Sequence, residues 1–142
     1  MLFHFVPMNA EYAHAISNWH YEGAYKFYDL DQDQEDLKAF LDPSEWPDRY
    51  FAVCGAGNEL VGFLSFEIDN DNAEISLGLR PDLTGKGFGQ SFVACGLEFA
   101  SKRFSPKTFS LIVASFNQRA ITVYTKNGCE ENGRVMYRAK GG

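Results

Sequence analysis

Thr84-Gly85-Lys86-Gly87-Phe88-Gly89 is the stretch that decides how this chain is read. Apolar, strand-like Ile75-Ser76-Leu77-Gly78-Leu79 precedes it, and a helix-like run from Gln90 to Arg103 follows. Three glycines alternate with Lys86 and Phe88 where strand hands over to helix. Such a turn lets backbone N–H groups converge on an anion, and the helix N-terminus adds partial positive charge. Bulkier residues would hold a phosphate away from the backbone.

Upstream of the turn the hydrophobic period is two. Tyr50 to Cys54 and Leu60 to Ile68 read as strands joined by Gly55-Ala56-Gly57-Asn58, a hairpin signal. Asp69-Asn70-Asp71-Asn72 is a second turn, leading to a strand from Ala73 to Leu79. Three consecutive strands with tight turns should pair antiparallel. Earlier still, Leu2 to Val6 reads as a short strand stopped by Pro7. Asn9 is positioned to cap a helix from Ala10 to Trp19, and Asp33 to cap another through Leu41, ended by Pro43. Between them Trp19 to Tyr28 is aromatic and weakly periodic, and reads as a loop. Downstream, Ser105-Pro106 stops the long helix and Phe109 to Ala114 is an apolar strand. Asn117 opens a short helix to Lys126, with Gly128 where a helix C-terminal glycine belongs. Glu131 to Arg138 reads as one last strand.

Composition bounds the function. At 142 residues the chain is expected to be one domain with a real core. A net charge of −6 argues against a nucleic-acid partner and slightly favours cationic or neutral substrates. Cys54, Cys95 and Cys129 are far apart with no CxxC pair, so reduced thiols in a cytoplasmic setting are expected, with no metal site. No apolar run reaches the length of a membrane span, and the N-terminus lacks a signal-peptide pattern, so no membrane partner is expected.

The glycine turn admits three readings. A P-loop needs GxxxxGK[ST], but Lys86 is followed by Gly87. A dinucleotide fingerprint needs GxGxxG opening a βαβ unit, whereas Gly85, Gly87 and Gly89 give GxGxG after a meander. The third is an acyl-CoA pyrophosphate site. Here Glu74 to Gly89 resembles the cofactor motif of the GNAT superfamily of N-acetyltransferases, R/Q-x-x-G-x-G/A, with Thr84 in place of Arg or Gln. Asn117-Gln118-Arg119-Ala120-Ile121-Thr122-Val123-Tyr124-Thr125-Lys126-Asn127-Gly128 resembles that family's second motif, N-x-x-A-x-x-x-Y-x-K-x-G, with Cys129 where an aromatic residue is common. One helix and one strand separate the two motifs, as in the family, and the resemblance covers about residues 1 to 130.

The resemblance implies an α+β fold: a mixed, mostly antiparallel central sheet flanked by helices, with a V-shaped cleft that takes acetyl-CoA as cosubstrate. It implies acetyl transfer to a primary amine, on a small molecule or a protein, by direct attack in a ternary complex. The competing reading is an acyl-CoA-binding sensor or scaffold without turnover. For the cofactor it points to the backbone of Leu77 and Leu79, to Thr84, Gly85, Lys86, Gly87, Phe88 and Gly89, and to Asn117 beyond its capping role. Gly78 would allow close approach or mark a bulge. For chemistry it points to Tyr124 as general acid toward the leaving thiolate; packing against the Ala120 and Ile121 face is the alternative. A base is harder to place. Glu74 on the central strand is the catalytic candidate, with Glu22 and His20 as others, against ordinary surface roles. Trp19, Glu22 and Tyr25 are candidate acceptor-wall residues, with aromatic core filling as the alternative for the rings. Only 14 residues follow Gly128. The family ends in two strands, so the last strand is expected to be missing or supplied by a second chain in a homodimer.

Overall fold

The computed structural model describes residues 3–46, 49–113, 117–132 and 135–139, with backbone only at 27 and from 131 onward. Seven strands form one sheet in the order β1-β2-β3-β4-β5-β7-β6. In chain order these are β1 (His4–Pro7), β2 (Tyr50–Cys54), β3 (Leu60–Asp69), β4 (Asn72–Leu79), β5 (Thr108–Ile112), β6 (Glu130–Asn132) and β7 (Val135–Ala139). All neighbours are antiparallel except β4 and β5. A parallel pair needs a crossover, and the helix α3 (Phe88–Phe104) supplies it. The other helices are α1 (Ala10–Ser17), α2 (Gln34–Leu41) and α4 (Gln118–Lys126). Leu2 and Ala114, read as strand ends, lie outside the described residues.

Local signals account for most boundaries. Asn9 Oδ1 accepts the Tyr12 N–H at 2.8 Å, and Asp33 accepts those of Glu35 and Asp36, so both expected caps form. Helix α1 stops two residues before Trp19, because the Asn18 N–H turns back to the Ala15 and Ile16 carbonyls. The stretch read as a loop contains a 3₁₀ helix, Gly23–Tyr28. Pro7 ends β1 at the sheet edge, where a missing N–H costs no ladder bond.

The period-two pattern sorts the strands onto two faces. Leu64, Phe66, Ile75, Phe109 and Leu111 bury against Phe92 and Leu97 of α3. On the other face Ala52 and Phe63 meet Ala13 and Ile16 of α1 and Phe40 of α2. Gly62 and Gly78 lie close together where β3 pairs with β4. Strand pairing runs unbroken through Phe63↔Gly78, so there is no bulge at Gly78. A Cβ there would run into the Phe63 ring, so the glycine makes room for a neighbour's side chain. A Cβ on Gly62 would meet the Gly78 carbonyl oxygen at 2.7 Å and the Phe92 ring at 2.8 Å. Backbone of a paired strand cannot step aside. Gly62→Ala should therefore destabilise the fold by about 1–3 kcal/mol, read as a melting temperature lower by about 4 °C or more.

The end of the chain corrects the expectation of a single last strand. Residues after Gly128 form two short strands, and β7 pairs with the whole of β5, from Thr108↔Ala139 to Ile112↔Val135. The chain supplies its own final strand, so the reason given for a partner-supplied strand falls away. β6 pairs with β7 from Glu130↔Tyr137 to Asn132↔Val135.

Candidate active site

The pairing of β4 with β5 runs from Asn72↔Thr108 to Ile75↔Leu111. Beyond it β4 continues to Leu79 while β5 ends at Ile112, and the sheet opens as a V. Ile112 is 64% exposed at this opening, although it lies on an otherwise apolar strand. Backbone groups alternate sides along a strand. Arg80 donates its N–H to the Val61 carbonyl on the β3 side, so Leu77 and Leu79 turn theirs to the open side. A cavity of about 890 Å³ fills the V. Leu77, Gly78, Leu79, Thr84, Gly85, Gly87, Gly89, Asn117, Tyr124, Trp19 and Tyr25 all line it, so elements far apart in the chain converge as expected.

The glycine turn has the form of a phosphate cradle. Gly85 and Gly87 have φ of +71° and +87°, the left-handed region that suits glycine. Gly87 is the N-cap of α3 and carries no side chain to bond the first-turn N–H groups, which leaves them for a ligand. A Cβ on Gly87 would meet no protein atom within 4 Å, so the space above it is open. A Gly-rich backbone, an uncapped helix start and an unpaired strand edge in one cavity fit the pyrophosphate and pantetheine of acetyl-CoA. Thr84 lines the cavity but donates its hydroxyl to the Pro81 carbonyl at 2.8 Å. Lys86 and Phe88 lie outside the lining; Lys86 is exposed, and Phe88 packs against the main core.

Asn117 performs two tasks with one amide. Its Oδ1 accepts the Ala120 N–H at 3.1 Å and caps α4, and its Nδ2 donates to Tyr28 Oη at 3.1 Å. About two turns further on, Tyr124 is 7% exposed. Burial, with Tyr28 and Cys129 alongside, pushes its phenol up, so it holds its proton.

The acceptor side is aromatic. Tyr21 Oη donates to the Leu79 carbonyl at 2.8 Å, and burial pushes that phenol up as well. Tyr25 stacks under Arg119 of α4, with Cζ 4.0 Å from the ring centroid. The segment 21–28 therefore straps across the V, held to β4 by Tyr21 and to α4 by Tyr25 and Tyr28. The aromatic run is visible in the sequence; which rings reach which arm is not.

The acid and base candidates fare differently. Glu74 is outside the lining; it stands in the paired part of β4, opposite Ser110 on one side and Glu67 on the other. Glu22 is exposed and outside it too. Among the described residues no Asp, Glu or His lines the cavity. His20 is engaged elsewhere: its Nε2 lies 2.8 Å from Asp31 Oδ2. The Asp31 carboxylate raises the His20 pKa. The pair therefore supports the fold fully below the ordinary histidine value, about 6.5, and that support is lost as pH rises through the raised value. An NMR titration should place His20 above an ordinary histidine, and Asp31→Asn should bring it down.

Cys54, Cys95 and Cys129 are all free thiols. Among the described residues no helix is long and apolar enough to cross a membrane.

Comparison with known proteins agrees with this geometry. A family model described as an acetyltransferase (GNAT) domain matches residues 3–130. No curated protein matches the chain significantly in sequence. Among solved structures, a spermidine N-acetyltransferase SpeG chimera from Vibrio cholerae and hSSAT superposes with a TM-score of 0.75 at 22% identity, over 99% of this chain and 97% of that one. The V. cholerae spermidine N-acetyltransferase in complex with CoA and spermine gives 0.69 at 19% identity, over 98% and 96%. A dodecameric form of the V. cholerae enzyme gives 0.69 at 21% identity, over 98% and 94%. At these identities the likeness speaks to the fold.

Proposed function

The chain belongs to the GNAT acetyltransferase family, which uses acetyl-CoA, and from that membership we propose that it acetylates the primary amine of a small molecule. The observation that carries this reading is the convergence of the glycine turn, the open edge of β4 and buried Tyr124 on one cavity. Acetyl-CoA supplies an activated acetyl thioester. The Leu77 and Leu79 N–H groups are aimed to polarise its carbonyl, where negative charge develops. Tyr124 holds a proton for the departing sulfur. The neutral aromatic wall of Trp19, Tyr21, Tyr25 and Tyr28 suits an alkyl chain or a cationic amine. Spermidine and spermine are the first acceptors to test, since structural neighbours act on spermidine. The free thiols fit a cytoplasmic setting.

Thiol release from acetyl-CoA should be measured with polyamines, aryl-alkylamines and peptide N-termini. Steady turnover with a small amine is expected; binding of acetyl-CoA without release for any amine would leave a non-catalytic acyl-CoA module. With no carboxylate or imidazole in the described lining, the acceptor amine loses its proton to water. The kcat/KM for the amine should then rise with pH toward the amine's own pKa, about 10 for an alkylamine like lysine, and Glu74→Gln should leave that rise in place. A plateau set by a group titrating near 4 to 7 would instead reveal a base on the protein.

A further inference from the structure

We propose that Arg119 is the side chain that binds the pyrophosphate of acetyl-CoA. This rests on the reading of the cavity as the acetyl-CoA site. A diphosphate over the glycine turn meets no cation from the turn's own lining: the Thr84 hydroxyl is bonded to Pro81, and Lys86 stands outside the cavity. Arg119 reaches the turn from α4. A Cβ built on Gly85 comes within 3.6 Å of Arg119 Nη1, so the guanidinium borders the cradle. Lys126, the other cation in the lining, sits two turns further along α4.

Its surroundings make little sense without an anion. Arg119 lies in the first turn of α4, where a positive charge opposes the helix dipole. No acidic residue occupies that turn, and among the described residues no carboxylate pairs with Arg119. Its neighbour is the Tyr25 ring, 4.0 Å from Cζ to centroid, a cation–π contact and not an ion pair, so the charge is left without a counter-anion. A planar fork matches two phosphate oxygens at once, which an ammonium cannot do. Tyr25 belongs to the acceptor wall, so one side chain joins the cofactor half of the cavity to the amine half.

The test is calorimetric titration of CoA into wild type, Arg119→Ala and Arg119→Lys at about 50 and about 500 mM NaCl, where charge screening differs severalfold in range. Arg119→Ala should weaken CoA about 10-fold or more at low salt, and that gap should narrow at high salt. Arg119→Lys should fall between. The unliganded alanine variant loses the Tyr25 contact and a cation that opposes the helix dipole, two effects of opposite sign, so its melt should lie within a few degrees of wild type. A variant that binds CoA like wild type overturns the proposal, as does a gap indifferent to salt. Wild type that fails to bind CoA overturns the reading of the cavity itself, and this proposal with it.

Discussion

Gly87→Asp should raise the Kd for CoA by about 100-fold or more while leaving the unliganded protein folded. Two terms act at this position, and they separate cleanly. The first is backbone: φ is +87°, and a residue with a Cβ costs on the order of 1 kcal/mol there, less for Asp than for most. That shifts the melting temperature by only about 4 °C for a chain of this size. The second is charge. The Cβ meets no protein atom within 4 Å, so the carboxylate projects into the space left for the ligand. Two like charges about 4 Å apart cost about 4 kcal/mol at an effective dielectric of 20, and each 1.4 kcal/mol is tenfold in affinity. Gly87→Ala carries the backbone term with a methyl in place of the charge, and should lie between. Calorimetry with CoA, beside a thermal melt, reads both terms. Wild-type affinity in the aspartate variant would remove the glycine turn from phosphate binding.

Tyr124→Phe should lower kcat about 100-fold or more and change acetyl-CoA affinity by no more than about threefold. General acid catalysis contributes roughly 100- to 10,000-fold. Tyr124 is buried and lines the cavity. The substitution keeps the ring and therefore the packing, so a melt near that of wild type is expected. Because burial raises the pKa of Tyr124, the acid form persists to higher pH than in a free tyrosine. A fall of kcat below about pH 10, the free phenol value, should therefore not come from this group. Single-turnover kinetics with saturating amine would isolate the step. Unchanged turnover would assign Tyr124 to packing alone.

Much of the frame was legible because its causes are local. Asn9, Asp33 and Asn117 each cap the helix they precede, through bonds to residues two or three positions on. Tyr50–Cys54 is the expected strand without adjustment, bounded by turn residues. The two motifs line one cavity, as the family resemblance implied. Illegible were the contacts that depend on which faces meet. Gly78 lines the cavity, and its missing Cβ also makes room for the Phe63 ring across the strand, which nothing along the chain shows. Glu74 has the right residue type on the right strand, but lies outside the cavity lining. Tyr21, Tyr28 and Arg119 belong to recognisable stretches, and nothing along the chain says that they tie the two arms of the V together. The pairing of β6 with β7 is different: the shortness of the segment concealed it.

The sequence by itself determined the order of elements, the glycine cradle and the helix that bears Tyr124. Caps, turns and hydrophobic periods act over a few residues, and those energies are set before any long-range contact forms. The tertiary structure alone decided where β4 parts from β5. That point fixes which backbone groups stay unpaired, which carboxylates are excluded from the cavity and which rings close over it. Strand pairing of this kind joins residues some 36 positions apart in the chain, which meet only once the sheet is formed.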